Sequence, residues 1–209
     1  MKIPFAKEGF VFIIPLLVVT ILMFLLSFYW AAVFWGLGFL FVTWFFRDPE
    51  RHIPNEPNVI VSPADGKITE IVTEKEPING ELCKRVTIFL SVFNVHVNRV
   101  PIAGTIEEIR YNPGKFLAAF NPKASMDNEQ NIILINNGKT HVFVKQIAGL
   151  IARRIVCWPK KGDYYESGQR YGLIRFGSRV DILLPETAKL SVACGDRVSG
   201  GKSIIGYLT

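Results

Sequence analysis

Gly162-Asp-Tyr-Tyr-Glu-Ser-Gly168-Gln169 and Gly195-Asp-Arg-Val-Ser-Gly-Gly201-Lys202 carry one pattern twice, 33 residues apart. In each copy Gly-Asp opens a turn, four residues intervene, and a second glycine leads into an apolar strand. Gly and Asp are common turn formers, so either copy alone would be an ordinary turn. Outward from the pair, the chain reads as short strands at 58–62, 67–73, 84–90, 105–111, 132–135, 141–148 and 153–158. Asp65-Gly66, Asn79-Gly80, Pro113-Gly114 and Asn137-Gly138 supply the turns. Only 114–121 and the polar run 121–130 read as non-strand. Many short strands with regular turns predict a mainly β barrel or sandwich.

A Gly-Asp turn into a strand, then Gly and a second strand, is similar to the hammerhead hairpin of biotinyl- and lipoyl-type barrels. Val61-Ser-Pro-Ala-Asp-Gly-Lys-Ile68 is similar to the opening strand of that architecture. The expectation is a barrel-sandwich, hammerhead-like domain built from duplicated hairpins.

The other end of the chain differs in kind. No charged residue occurs from Gly9 to Phe46, and nearly every position there is aliphatic or aromatic. The block is too long for one span of about 20 residues and short for two. Phe10–Tyr29, with Pro15 inside, and the shorter Ala31–Phe46, with Gly36 and Gly38, are the two candidate spans. Trp30, Trp35 and Trp44 suit interfacial anchoring. Lys2 and Lys7 precede the block while Arg47 and Arg51 follow it, so both flanks belong on the cytoplasmic side. The expected organisation is a membrane-anchoring helical hairpin at 1–46, a Pro-rich linker at 47–58 and a β-rich domain at 59–209. That places the domain at the cytoplasmic face of the cell membrane. A net charge of +6 suits an anionic lipid surface. No dense Lys/Arg run interleaved with aromatics points to nucleic acid. Cys83, Cys157 and Cys194 have neither zinc nor redox-motif spacing. They are expected to be buried free thiols in a reducing compartment.

Three places could hold chemistry. The stretch from Gly172 to Pro185 reads as one apolar, β-branched strand weakened at Gly177-Ser178, where a hydroxyl nucleophile follows a glycine. In Phe89-Leu-Ser-Val-Phe-Asn-Val-His-Val-Asn-Arg-Val-Pro101, strand alternation puts Asn94, His96 and Asn98 on one face, with Arg99 opposite. A lone strand histidine is more often hydrogen-bonded structure than catalyst. His52 and His141 read as surface residues. Asp65, before Gly66, is first a turn former; it is also a carboxylate able to orient a histidine. No Gly-x-Ser-x-Gly elbow, Walker or dinucleotide fingerprint, or metal-ligand spacing occurs.

Phe46-Arg-Asp-Pro49, Ser62-Pro-Ala-Asp-Gly66, Leu90-Ser91 with Asn94-Val-His96, Gln146-Ile-Ala-Gly149, Arg153-Arg154 and Arg175-Phe-Gly-Ser-Arg-Val-Asp181, behind an apolar N-terminus, together resemble the phosphatidylserine decarboxylases. The likeness is greatest to the short prokaryotic branch and runs from about residue 46 to the C-terminus. The resemblance implies a proenzyme that cuts itself between Gly177 and Ser178. Ser178 Oγ would attack the Gly177 carbonyl to give an ester; β-elimination and hydrolysis would then leave a pyruvoyl group at position 178. The products would be a large subunit, residues 1–177, and a small one, residues 178–209. The pyruvoyl cofactor would bind phosphatidylserine as a Schiff base and release CO2 and phosphatidylethanolamine. Asp65 and His96 match the family's Asp–His pair, with His96 as proton donor. Asn94, Asn98 and Arg99 are supporting or substrate-facing candidates. Arg99 stands where longer members carry a second histidine, and Phe-Gly-Ser-Arg replaces their Leu-Gly-Ser-Thr. A homo-oligomer is compatible with these features. The rival reading is a membrane-anchored hammerhead carrier without catalysis. It requires a lysine at a hairpin tip within a modification motif, whereas Lys202 falls in a turn.

Overall fold

In the computed structural model, residues 4–76, 80–114, 128–149, 154–175 and 178–209 are described. They divide into two compact units, one ending at Glu50 and the other Arg51–Thr209. Residues 48–56, inside the expected linker, have no regular secondary structure.

The first unit is a helical hairpin, α1 (Phe10–Leu25) and α2 (Tyr29–Phe45). A reversal at Ser27, with φ at +63°, joins them. Gly36 faces Thr20 and Gly38 faces Leu16, so the helices run antiparallel and their missing Cβ atoms permit close approach. The hairpin's two ends meet. Ala6 N donates to Phe46 O at 2.9 Å and Asp48 N to Pro4 O at 2.7 Å. Lys7–Leu25 is long and apolar enough to cross a membrane, and Tyr29–Phe45 is a shorter apolar helix. Val11, Val18, Phe24, Trp30 and Phe34 stand exposed, a surface suited to an apolar solvent.

The second unit contains fourteen strands among its described residues: β1 (Val59–Val61), β2 (Gly66–Lys75), β3 (Leu82–Leu90), β4 (Val97–Arg99), β5 (Gly104–Asn112), β6 (Gln130–Asn136), β7 (His141–Ala148), β8 (Ile155–Cys157), β9 (Tyr164–Tyr165), β10 (Arg170–Ile174), β11 (Ser178–Pro185), β12 (Lys189–Leu190), β13 (Arg197–Val198) and β14 (Ile204–Tyr207). They form an eight-stranded sheet, β13-β2-β3-β11-β7-β6-β5-β9, and two three-stranded sheets, β1-β14-β12 and β4-β10-β8. The architecture is mainly β, with the large sheet curled into a half-barrel. Strand alternation sets the core. Val86, Ile88 and Leu90 of β3 and Val180, Ile182 and Leu184 of β11 face inward with no exposed surface.

The repeated Gly-Asp hairpins belong to a duplication of the whole unit. The large sheet reads alike outward from its centre, pairing β11 with β7, β3 with β6, β2 with β5 and β13 with β9; β1-β14-β12 corresponds to β4-β10-β8. Bulges recur at matching places: β2 slips against β3 between Ile68 and Glu70, and β5 against β6 between Ile106 and Glu108. The two Gly-Asp turns bind alike. Ile68 exchanges backbone hydrogen bonds with Gly195 and Asp196 at 2.8 and 2.9 Å, and Ile106 does so with Gly162 and Asp163 at the same distances. Gly162 and Gly195 have φ of +93° and +100°, a left-handed conformation that explains the glycines.

The halves are nested. Strands β4–β10 are inserted between β3 and β11, entering after Leu90 and leaving before Ser178, and those two residues lie opposite each other. In the inserted half the corresponding strands β6 and β7 are joined by the Asn137-Gly138 turn. Ser178 thus stands where a simple hairpin would have its turn. The single strand expected from Gly172 to Pro185 is consequently two strands in two sheets, β10 and β11, because the chain changes sheets at the end of the insertion. Gln130, expected in a loop, opens β6.

The cysteines are free. Cys83 is buried as expected; Cys157 is half-buried and Cys194 is exposed, since it sits in the outward Gly195 turn. His52 and His141 are both exposed, the latter paired with Glu107 at 2.9 Å.

Candidate active site

Ser178 is the first residue of β11, opposite Leu90 on β3 and Ala148 on β7. It shares its face with Val180 and Ile182, so its side chain points into the core. It is fully buried, and among the described residues its Oγ has no hydrogen-bond partner. A buried hydroxyl that forgoes both donor and acceptor contacts is destabilising, and such groups are rare unless something uses them. Gly177, the other side of the expected cleavage bond, lies outside the described residues, as do Phe176, Arg153 and the Asn79 half of the Asn79-Gly80 turn.

The segment from Leu90 to β4 carries the histidine. Continuous strand alternation was expected here, but the chain turns, and β4 begins only at Val97. Asn94 causes the turn. Its Oδ1 accepts from Ser91 N at 2.9 Å and Ser91 Oγ at 2.8 Å, while Asn94 N donates to Ser91 O. Asn94 therefore does not share a strand face with His96 and Asn98; it shapes the loop that presents His96. The imidazole is buried, with Nδ1 2.9 Å from Asn94 O. A carbonyl can only accept, so in the neutral ring Nδ1 holds the proton and Nε2 is the basic nitrogen. His96 O accepts from Ile174 N at 3.3 Å, four residues before Ser178. The histidine is thus tied to the serine's surroundings from both sides, by the loop leaving Leu90 and by the end of β10.

Asp65 is placed differently. Arg51 Nη2 donates to its Oδ2 at 2.9 Å and Gly200 N to its Oδ1 at 2.7 Å. Neither His96 nor Ser178 is among its hydrogen-bond partners. The turn it anchors does reach the histidine strand: Pro63 O accepts from Arg99 N at 2.9 Å. Arg99 is buried, and its Nη1 donates to Gly168 O at 3.0 Å, locking β4 to the first repeated hairpin.

Sequence reasoning singled out Asn98 but gave no role to the two buried amides in line with it. Asn131 Nδ2 donates to Gln146 Oε1 at 3.2 Å, and Gln146 Nε2 donates to Asn98 Oδ1 at 2.8 Å. Asn98 Nδ2 is buried with no partner among the described residues. The available signal was a break in period: Gln146 interrupts the inward series Val142, Val144, Ala148, and Asn131 heads the series Ile133, Ile135. Cys157 borders the row; burial pushes its thiol up, and a hydrogen bond from Asn131 works against that shift.

A family model, phosphatidylserine decarboxylase, matches residues 39–206 of the chain. A protein of Geotalea uraniireducens is 44% identical over 206 residues, covering 98% of this chain and 97% of its own length. One of Syntrophus aciditrophicus is 47% identical, covering 96% of each. A third, of Desulfotalea psychrophila, is 52% identical, covering 82% of this chain and 81% of its own. Each of the three is named a phosphatidylserine decarboxylase proenzyme. With a model spanning most of the length and relatives this similar from end to end, the chain belongs to the phosphatidylserine decarboxylase family.

Proposed function

We propose that this chain decarboxylates phosphatidylserine to phosphatidylethanolamine and CO2 at the membrane, using a pyruvoyl group that it makes from Ser178 by cutting itself after Gly177. The observation that carries the reading is the buried, unpartnered hydroxyl of Ser178 at the chain's passage between two sheets. That hydroxyl has one neighbour in the chain that it can always reach, the peptide bond on its own amino side. A glycine there offers the least steric resistance to attack. Residues fit the group: a serine is in place to be converted, in an interior closed to water. When present, a pyruvoyl group supplies an electrophilic carbonyl that takes up the electron pair left by CO2.

The chain's own groups move protons and hold geometry. His96, with Nε2 as its basic nitrogen, exchanges the proton at the reacting carbon. Asn94 fixes the imidazole through its carbonyl and its turn. Asp65 acts through position: with Arg51 and Gly200 it holds the turn from which β4 hangs. Arg99 clamps the far end of β4. The hairpin of α1 and α2, with both ends together, anchors the chain in the bilayer that holds the substrate. Lys7, Arg47 and Arg51 flanking it favour the cytoplasmic side.

The test is the mass of the purified chains. Wild type yields residues 1–177 and a fragment starting at position 178 with a ketone-reactive, blocked end. Ser178→Ala yields one full-length chain that releases no CO2 from phosphatidylserine vesicles. A wild-type chain that turns over while uncut is incompatible with this function.

A further inference from the structure

The middle member of the amide row, Gln146, lies beside Ser178. Gln146 faces the core with Val180 opposite it, and Ser178 lies opposite Ala148 on the same two strands. Ser178 and Gln146 are therefore diagonal neighbours on one face, with Cα atoms roughly 7–8 Å apart. Ala148, directly across from Ser178, is small. The row also has a direction. Gln146 Oε1 accepts from Asn131 and Asn98 Oδ1 accepts from Gln146, so the chain of bonds ends at Asn98, whose amide N–H groups remain to donate. Gly172 permits this arrangement: a Cβ there would strike Val156 O and crowd Gln146 Nε2 at 3.3 Å. Asn98, Gln146 and Asn131 are all at least 98% buried. A buried donor pair held in place and left without an acceptor is built for an oxygen that is not yet there.

We propose that Asn98 is a catalytic donor for the self-cleavage step, stabilising the oxygen that leaves from residue 178, and that Gln146 and Asn131 are its positioning residues. This rests on the self-processing reading above. In that reaction Ser178 Oγ bonds to the carbonyl carbon of residue 177 and the C–N bond breaks, the amine taking the hydroxyl proton. A base then removes the α-proton of residue 178. The C–H electron pair forms the Cα=Cβ bond, and the Cβ–Oγ bond breaks with its pair remaining on Oγ. Oγ departs as part of the new C-terminal carboxylate of residue 177. Asn98 Nδ2–H donates to that oxygen as its charge develops.

The experiment follows full-length chains on denaturing gels and by intact mass, with and without hydroxylamine, which splits an ester but not a peptide. Asn98→Leu keeps the size and removes the donor. Gln146→Met releases Asn98 from its support. Tyr171→Phe, removing another buried and unpartnered hydroxyl, is the control. Thermal melts establish that each variant is folded. Expected is normal processing for Tyr171→Phe and slowing of about 10-fold or more for Asn98→Leu, toward the 10²–10³-fold loss typical of one donor to a developing oxyanion. The uncut Asn98→Leu chain should split with hydroxylamine, because it waits as the ester; Gln146→Met should do so to a lesser degree. Folded Asn98→Leu that processes at the wild-type rate, or stalls as a hydroxylamine-resistant chain, overturns the proposal. A wild-type chain that never splits overturns the self-processing reading, and the proposal with it.

Discussion

Individual side chains have measurable consequences. His96 is buried and held through Nδ1, so alanine there removes the proton carrier without disturbing the Ser91–Asn94 turn. Folded His96→Ala should lose about 10²–10⁴-fold in CO2 release, the usual worth of one general acid–base group. Wild-type turnover would remove His96 from that role. The cysteines give a second check. Burial, reinforced by Glu74 and Glu76, pushes the Cys83 thiol up from 9.0 to about 11. Alkylation of folded protein near pH 8 should mark the exposed Cys194 and spare Cys83 until the chain unfolds. The sign of the linked stability follows. Between pH 9.0 and about 11 the unfolded chain gives up this proton first, so Cys83 lowers stability as pH rises through that window.

Among the elements, β11 matters most, and its outward face shows how it is held. Arg179 and Asp181 lie two residues apart on that face, joined by Nε to Oδ1 at 2.6 Å and Nη2 to Oδ2 at 2.9 Å. Thr87 of β3 accepts from Arg179 at 3.3 Å. Asp181 is 1% exposed. Removing it leaves the buried guanidinium with the half-exposed Glu70, 4.0 Å away, as its remaining ion-pair partner, so Asp181→Ala should cost about 3 kcal/mol in chemical denaturation. Exchanging both residues for apolar ones of similar size should cost much less, since the desolvation of two charges disappears with them. Equal losses in the two variants would show that the pair is not what holds the strand.

At the scale of the molecule, nesting would let the fold survive the proposed self-cleavage. A cut before Ser178 leaves β11 between β3 and β7, β13 on the edge of β2, and β14 between β1 and β12. Val180, Ile182, Leu184, Val198 and Ile205 keep their places in one core with residues on the amino side of the cut. The two subunits should therefore elute together in native gel filtration and separate only in denaturant. Separation under native conditions would mean that the core does not outlast the cut.

Much of this was legible in the sequence because it depends on local chemistry. Glycines needing left-handed φ marked the repeated hairpins, period-two alternation marked most strands, and an uncharged block marked α1 and α2. Ser178 stood out as a hydroxyl after glycine in an apolar run. What lay hidden depends on contacts between distant residues. Nothing near Gly172–Pro185 says that β10 and β11 belong to different sheets, since each half alternates as a strand should. Asp65 looks available until folding brings Arg51 and the Gly200 amide to its oxygens. Gln146 and Asn131 look like misplaced polar residues until β4 and β10 close over them. Local backbone preference and the burial pattern are written along the chain; partners for buried polar groups come from elements far apart in sequence, so tertiary structure alone decided them.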